Sequence, residues 1–247
     1  MRAFRSALFL SLATLLTIPF GILVTLAIAL PMTVRYRIIA VWRRGFMGLC
    51  RHVLGIRYRV LGRENIPAEP SVVMAKHQSA WETVGLQEIF PPLVFVLKRE
   101  LLRMPFFGWG LAAMKMISID RAAGKDALKQ VFEQGQERLA AGYWVVIFPE
   151  GTRVAPGETA RFKPGGAHLA VRSGVKVVPV AHDAGEVWGK GALRISPGLI
   201  TVSIGPAIDP AGKTSTAINH LAAAWIDAEM RRLSPHRYPA PADAVAG

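Results

Sequence analysis

The stretch VVMAKHQSAWET, residues 72–83, decides the fold around it. Its first four residues form a short apolar run that predicts a buried strand. His77 follows the end of that run, and Glu82 stands five positions further on. Such a histidine can act as a base toward a hydroxyl group, while a carboxylate holds its other ring nitrogen. Residues five apart on one helix lie about 140° apart around its axis, so this pair forms only if His77 lies in a turn between strand and helix.

A capping box is the alternative interpretation of the same residues. Ser79 fits the position before a helix, and Glu82 fits the third helical position, where its side chain reaches back to a backbone N–H group. On that interpretation Glu82 is structural and His77 is an ordinary turn residue. Residues 72–83 alone leave both interpretations open, because capping boxes are a common signal of a helix start.

A second stretch, FPEGTR at residues 148–153, follows another strand-like run. Its glycine, Gly151, lets the backbone approach a ligand closely. Thr152 adds a hydroxyl group, and Arg153 adds a planar guanidinium that can make two hydrogen bonds to a phosphate. A surface turn with a solvated arginine is the alternative here.

Together these two stretches resemble the glycerolipid acyltransferase family, and most closely its 1-acylglycerol-3-phosphate acyltransferases. The resemblance covers roughly residues 70–185 and rests on four blocks in the family's order. The blocks run from His77 to Glu82, from Lys98 to Arg121, from Phe148 to Arg153 and from Val177 to Val180. One position departs from the family's pattern, because Glu82 stands where most members have Asp.

The resemblance implies a role for several residues. Two are catalytic: the general base His77 and its partner Glu82. Three bind the phosphate of the acceptor: Lys98, Arg121 and Arg153. The other block residues are Glu150, Gly151 and Thr152 in the third block and Pro179 in the fourth. Backbone N–H groups near Gly151 are candidate donors to the oxyanion of the reaction.

The implied reaction transfers an acyl group from an acyl thioester of acyl carrier protein or coenzyme A to the sn-2 hydroxyl of 1-acylglycerol-3-phosphate. The product is phosphatidate, which enters phospholipid synthesis. The thioester is a substrate, and the sequence indicates neither a cofactor nor a metal, because it shows no cluster with metal-ligand spacing. Two alternatives stay open. One is an acyltransferase for an aminolipid or a lysolipid with a larger headgroup, and the other is a membrane protein that binds anionic lipid without catalysis.

The first 60 residues carry a membrane signal. The chain has 30 Lys and Arg against 17 Asp and Glu, a formal net charge of +13 that fits either nucleic acid or an anionic membrane. Residues 6–34 contain no charged residue, which favours the lipid bilayer over nucleic acid. As one helix they would be about 43 Å long, enough to cross a hydrocarbon core of roughly 30 Å with a tilt. Pro19 and Pro31 leave open two short helices that dip into one leaflet.

Arginines flank this uncharged run unequally. Two precede it and eight follow it before the first acidic residue, Glu64. Residues 35–59 mix arginines with apolar side chains, as a basic helix at a membrane interface does. The bias of positive charge toward the cytoplasm predicts an inner-membrane protein with its catalytic domain on the cytoplasmic side. A removable signal peptide is the less consistent alternative, because the run exceeds the usual 7–15 residues of such a peptide's apolar region.

The remainder predicts one α/β domain with a mixed or largely parallel sheet flanked by helices, preceded by the N-terminal membrane-embedded helical arm. Six strand-like runs alternate with helical patterns: residues 72–75, 93–97, 116–119, 143–148, 175–181 and 199–204. The predicted domains are the anchor with its basic helix at 1–60, the acyltransferase domain at 61–233 and a flexible tail at 234–247. In such sheets ligands bind beyond the carboxyl ends of the strands, which is where the candidate basic residues fall.

Overall fold

The computed structural model describes residues 2–120, 123–191, 193 and 195–239. The helices are α1 Arg2–Leu26, α2 Met32–Leu49, α3 Glu82–Ile89, α4 Phe107–Ala113, α5 Lys125–Ala140, α6 Gly165–Ser173, α7 Ala184–Val187 and α8 Ser215–Leu233. The strands are β1 Ile56–Leu61, β2 Val72–Ala75, β3 Leu93–Lys98, β4 Ile117–Ile119, β5 Trp144–Ile147, β6 Val177–His182 and β7 Gly198–Ile204. The six predicted strands correspond to β2 through β7.

Within these residues one sheet forms in the order β1-β7-β6-β2-β5-β3-β4. Its neighbouring strands run parallel, except that β6 and β7 are antiparallel. The central strands β2, β5 and β6 read as continuous apolar runs because both faces of the sheet are covered, and every residue of the three is buried. Helices α5, α6 and α8 pack side by side against them. The predicted α/β fold with a mixed, largely parallel sheet is confirmed.

The N-terminal arm is a helical hairpin. Helix α1 continues through Pro19, and the chain turns back at Ala27–Pro31 into α2. The two helices are joined by a hydrogen bond from Trp42 Nε1 to Thr17 Oγ1 at 3.1 Å and by the edge-to-face rings of Phe9 and Phe46. By length and composition α1 is apolar enough to cross a membrane.

The hairpin packs on the domain along its length. Near one end the Phe9 ring contacts the Trp188 ring, and near the other Gly21 lies so close to the Phe106 carbonyl that an added Cβ would be 2.5 Å from it. Apolar side chains remain exposed on the hairpin and on the adjoining loop and α4: Phe4, Leu8, Leu15, Ile22, Leu23, Leu26, Ile28, Leu30, Val41, Leu101, Met104, Phe107 and Trp109. These side chains are together called the apolar face below. Contiguous exposed apolar surface marks sites of interaction with proteins or membranes.

Two predicted segment boundaries and the predicted position of Arg35 need correction. The boundary between residues 60 and 61 falls inside β1, whose Ile56–Leu61 pairs with β7, so the end of the predicted basic helix is a strand. Arg35 is not at an interface, because it is 5% exposed and its guanidinium donates to the carbonyl of Ala113. The predicted tail also begins too early. Ser234 and Tyr238 are buried against the domain, and residues 240–247 lie outside the described part of the chain.

Candidate active site

The candidate residues meet at one edge of the sheet because β3, β5 and β2 are adjacent and parallel. Their carboxyl ends therefore point the same way. Lys98 is the last residue of β3, His77 follows β2, and Gly151 to Arg153 follow β5. The edge collects side chains that lie up to 76 residues apart in the sequence.

His77 and Glu82 form a direct pair. Helix α3 begins at Glu82, so His77 lies in the turn before it and the geometric condition for pairing is met. His77 Nδ1 and Glu82 Oε1 are 2.8 Å apart. The His77 ring stacks on the Phe148 ring with centroids 4.0 Å apart and planes 14° apart, which fixes the ring plane from the third block.

Glu82 also caps the turn, so the two interpretations of residues 72–83 describe one arrangement. Its Oε1 accepts the N–H groups of Gln78 at 2.9 Å and Ser79 at 2.8 Å. The Ser79 hydroxyl accepts the N–H of Trp81 at 3.1 Å. The helix starts later than the capping box predicted, with Trp81 rather than Ser79 as its N-cap.

The charge state of Glu82 sets the tautomer of His77. Glu82 is fully buried, and burial disfavours its charged form. The neighbouring His182 and the hydrogen bonds from His77 and Ser79 outweigh burial and hold the pKa of Glu82 below its ordinary value. An ionised Glu82 accepts a hydrogen bond from the Nδ1–H of His77, because a carboxylate without a proton cannot donate. The other ring nitrogen, Nε2, then carries a lone pair and is able to act as a base.

A cavity of about 510 Å³ opens beside His77. Lys98, Gly151, Thr152 and Arg153 line it together with His77. Gly151 has a φ of 73°, in the left-handed region that favours glycine. Lys98, Gly151, Thr152 and Arg153 thus share one cavity with His77, and their roles stay predictions. Lys190, which the sequence did not single out, also lines the cavity from the loop after α7.

The rest of the lining is mostly apolar and comes from the hairpin as well as the domain. Its main apolar members are Phe20 of α1, Ile39 and Trp42 of α2, Val84 of α3, Phe95 and Leu97 of β3, and Phe107, Leu111, Met114 and Met116 in and around α4. A cavity of about 300–1,000 Å³ with few polar groups is typical of a site for an apolar ligand. No sequence pattern indicated that the arm helps to form this wall.

The other predicted residues lie elsewhere. Arg121 is outside the described residues, so its place in the site stays a prediction. Pro179 is buried in the middle of β6 opposite Met74 and does not line the cavity. The N–H of Gly151 donates to the Phe148 carbonyl at 3.0 Å, so it is already used within the turn and is a poorer oxyanion donor than expected. In the part of the chain that the structure describes, no three His, Cys, Asp or Glu side chains gather as metal ligands would.

Glu150 is buried and lies behind the turn that carries His77. Its Oε2 accepts the backbone N–H of His77 at 2.7 Å, and its Oε1 accepts a hydrogen bond from Lys76 Nζ. Burial raises the pKa of Glu150, while Lys76 and the His77 N–H act in the opposite direction. Gln78 is held similarly from behind, because its side-chain amide donates to the Tyr238 hydroxyl at 2.9 Å. These contacts join residues more than 70 apart in the sequence, which is why sequence patterns did not reveal them.

Known proteins of similar sequence are acyltransferases. A family model described as Acyltransferase matches residues 57–183. The 1-acyl-sn-glycerol-3-phosphate acyltransferase of Pseudomonas aeruginosa is 47% identical over 240 residues, which cover 95% of this chain and 93% of that protein. The 1-acyl-sn-glycerol-3-phosphate acyltransferase alpha of Homo sapiens is 33% identical over 175 residues, or 70% of this chain and 62% of that protein.

A solved structure has the same fold. The crystal structure of the 1-acyl-sn-glycerophosphate acyltransferase from Thermotoga maritima matches with a TM-score of 0.73 at 24% identity. The match covers 95% of this chain and 98% of that one.

Proposed function

This chain belongs to the acyltransferase family, and we propose that it transfers an acyl group from an acyl thioester to the sn-2 hydroxyl of 1-acylglycerol-3-phosphate, forming phosphatidate. The observation that carries the proposal is the His77–Glu82 pair beside a cavity that combines an apolar wall with Lys98 and Arg153. The Pseudomonas aeruginosa relative, similar over nearly the whole chain, bears a name that states the same acceptor.

His77 and Glu82 supply the acid–base chemistry. Nε2 of His77 removes the proton from the acceptor hydroxyl as that oxygen attacks the thioester carbonyl carbon. Glu82 stabilises the imidazolium that results, because it is ionised and 2.8 Å from Nδ1. The tetrahedral intermediate then expels the thiolate, which takes the proton back from His77. The products are an ester and a free thiol, and no covalent enzyme intermediate is needed.

The cationic residues bind the acceptor phosphate in this scheme. Lys98 ends β3 and Arg153 lies in the loop after β5, two adjacent strands on the same side of β2, and both line the cavity that His77 lines. A terminal phosphate carries up to two negative charges and takes several such contacts at once. A lysolipid with a larger headgroup presents a phosphodiester with one charge, and this difference favours lysophosphatidate as acceptor.

The apolar wall suits the acyl chain of the donor. A chain placed among Phe20, Phe95 and Met114 would leave its thioester carbonyl near His77. Acyl carrier protein and coenzyme A both present that thioester on the same phosphopantetheine arm, so either fits as donor. No cofactor takes part in this scheme.

The arm is proposed to hold the protein at the cytoplasmic face of the inner membrane. Both ends of the hairpin lie beside the domain, since Arg5 Nε donates to the Val53 carbonyl at 2.7 Å just before β1. Its turn at Ala27–Pro31 and its apolar face would therefore enter one leaflet and return, rather than cross. A lysolipid in the same leaflet would then reach the cavity wall that the hairpin forms.

Purified full-length protein tests the proposal. It is assayed with acyl carrier protein and coenzyme A thioesters against lysophosphatidate, lysophospholipids with larger headgroups and an aminolipid. We expect the highest kcat/KM with lysophosphatidate and almost none for His77→Ala. A higher kcat/KM with another lysolipid contradicts the acceptor assignment. Lipid binding without thioester consumption for any acceptor contradicts the enzyme assignment as a whole.

A further inference from the structure

The main chain of His77 is held on both sides by the loop after β5. Its N–H donates to Glu150 Oε2 at 2.7 Å, and its carbonyl accepts the N–H of Val154 at 2.8 Å. The loop that carries Arg153 thus fixes the position of the His77 backbone, from which the imidazole side chain extends. One of these two contacts depends on a side chain, and that side chain is a buried carboxylate.

Glu150 has a buried cationic partner. Lys76 is 2% exposed and Glu150 is 4% exposed, and the Lys76 ammonium donates to Glu150 Oε1. The same ammonium lies 3.4 Å from the Glu158 carbonyl and 6.0 Å from the centre of the Tyr238 ring. The backbone of Lys76 is fixed too, because its N–H donates to the Val180 carbonyl and its carbonyl accepts from His182 Nε2 at 2.7 Å. Lys76 is therefore enclosed by β6, by the loop after β5 and by the C-terminal segment.

We propose that Lys76 is a positioning residue for acyl transfer, which holds the buried side chain of Glu150 in place so that Glu150 fixes the position of the His77 main chain relative to Glu82. The inference rests on the proposed function, in which His77 is the base. Lys76 does not line the cavity, so it acts through Glu150 and not on the substrate.

Stability alone is a weak reason for such a pair. Replacing a buried ion pair by uncharged residues of similar size is often neutral or stabilising. Removing only one partner is destabilising, because it leaves a buried charge unpaired. Lys76 directly precedes His77 in the sequence, and this position explains the Lys76–Glu150 pair better than stability does. Without its ammonium, Glu150 would take up a proton or draw in water, and the acceptor of the His77 N–H would weaken. A shift of about 1 Å at a reacting group costs as much as about 10²-fold in rate.

Lys76→Met, Glu150→Gln and the double variant Lys76→Met/Glu150→Gln test this in the full-length protein. We expect Lys76→Met to lower kcat at least about thirtyfold and to leave the acceptor KM within about threefold, because the phosphate contacts are intact. The double variant should regain at least about tenfold, since a neutral amide oxygen still accepts the His77 N–H and needs no cation. Lys129→Met is the matched control, as Lys129 is an exposed lysine that pairs with Glu133 on α5.

A second readout does not depend on the substrate. Diethyl pyrocarbonate modifies histidine nitrogen, and mass spectrometry follows its rate at His77, whose side chain is 16% exposed. Lys76→Met should raise that rate at least about threefold, and the double variant should restore it. Unchanged kcat and an unchanged rate at His77 in folded Lys76→Met would overturn the inference even if lysophosphatidate proves not to be the acceptor. If Lys76→Met does not fold, a folded double variant as inactive as His77→Ala overturns it.

Discussion

Replacing Glu82 by glutamine separates its role in catalysis from its role in the turn. Three donors converge on Oε1: Nδ1 of His77 and the N–H groups of Gln78 and Ser79. A glutamine oxygen can accept all three, but without charge. Its NH₂ group would occupy the site of Oε2, which is buried and accepts no hydrogen bond from the residues that the structure describes.

The expected loss of stability follows from these contacts. A hydrogen bond to a charged group contributes about 1.5–3 kcal/mol against about 1 kcal/mol for a neutral pair, and an unpaired buried donor costs about 1–3 kcal/mol. Because such terms are not additive, we expect Glu82→Gln to lower the free energy of unfolding by about 3 kcal/mol. For a chain of this size that corresponds to a fall in Tm of roughly 6–12 °C.

The expected loss of activity is larger. A carboxylate about 4 Å from the imidazolium contributes about 4 kcal/mol at an effective dielectric constant of about 20, which is about a thousandfold in rate. We therefore expect kcat to fall between about tenfold and a thousandfold, measured as thiol release well below the lower Tm. Glu82→Asp keeps the charge with a shorter reach and should retain more activity than Glu82→Gln.

The matched control is Glu88→Gln on the same helix. Glu88 pairs with Arg43 at 2.6 Å near the surface, so this change should leave kcat unchanged and cost no more than about 1 kcal/mol. A Glu82→Gln variant that melts early but keeps the kcat of the wild type would refute the catalytic assignment and leave Glu82 as a capping residue.

The pKa of Glu82 adds a pH dependence to the same comparison. A depressed pKa means that ionised Glu82 stabilises the folded state above the ordinary value of 4.5, and that this contribution disappears as the pH falls through the lower folded-state pKa. The difference in Tm between the wild type and Glu82→Gln should therefore stay constant from about pH 8 to pH 5 and shrink in stronger acid. A gap that does not shrink in acid would mean that the charge of Glu82 is not what stabilises the turn.

Three further predictions concern other parts of the molecule. Arg153→Lys should raise the acceptor KM about tenfold or more with little effect on kcat, because lysine cannot make the paired contact, and kinetics equal to the wild type would contradict that contact. Gly110→Leu should shift donor preference toward shorter acyl chains, because Gly110 lines the cavity and an added Cβ would already be 3.5 Å from Val24. An unchanged chain-length profile would mean that the acyl chain binds elsewhere. Washing membranes with 1 M salt should not release the protein, because salt screens charges but leaves the apolar face inserted, and complete release would show that the face is not embedded.

Long regular elements were predictable from the sequence. The helical spacing of apolar residues in α5, at Leu128, Val131, Phe132 and Leu139, is visible in the sequence, and β2 agrees with the predicted strand at 72–75. Strand β1, in contrast, was not predicted from the sequence. Its Arg57 and Arg59 resembled the basic helix before it, and only its pairing with β7 fixes it as a strand. Edge strands with charged side chains carry a weak local signal.

The candidate site likewise contains residues with a local sequence signal and residues whose role depends on distant contacts. His77, Glu82, Lys98 and Arg153 could be singled out as candidates because each lies just beyond a strand end or within a block that resembles the family. Lys76 was not, since a lysine beside a predicted strand end is ordinarily solvated, and its burial depends on Glu150 and Tyr238 from distant parts of the chain. Contacts of that kind depend on topology, which the sequence predicted only as a fold class.

The strand order also imposes a sequence of events during synthesis of the chain. Arg59 of β1 and Thr201 of β7 bond across 142 residues, so β1 stays unpaired until almost the whole domain has left the ribosome. The hairpin is made first and needs no strand to bury its apolar face if a bilayer is present. The nascent chain would thus be attached to lipid before its sheet is complete, and the slow long-range pairings would take place next to the membrane surface. A polypeptide released before β6 should be membrane-bound but unable to fold its catalytic turn, because the carbonyl of Val180 that receives the Lys76 N–H would be missing.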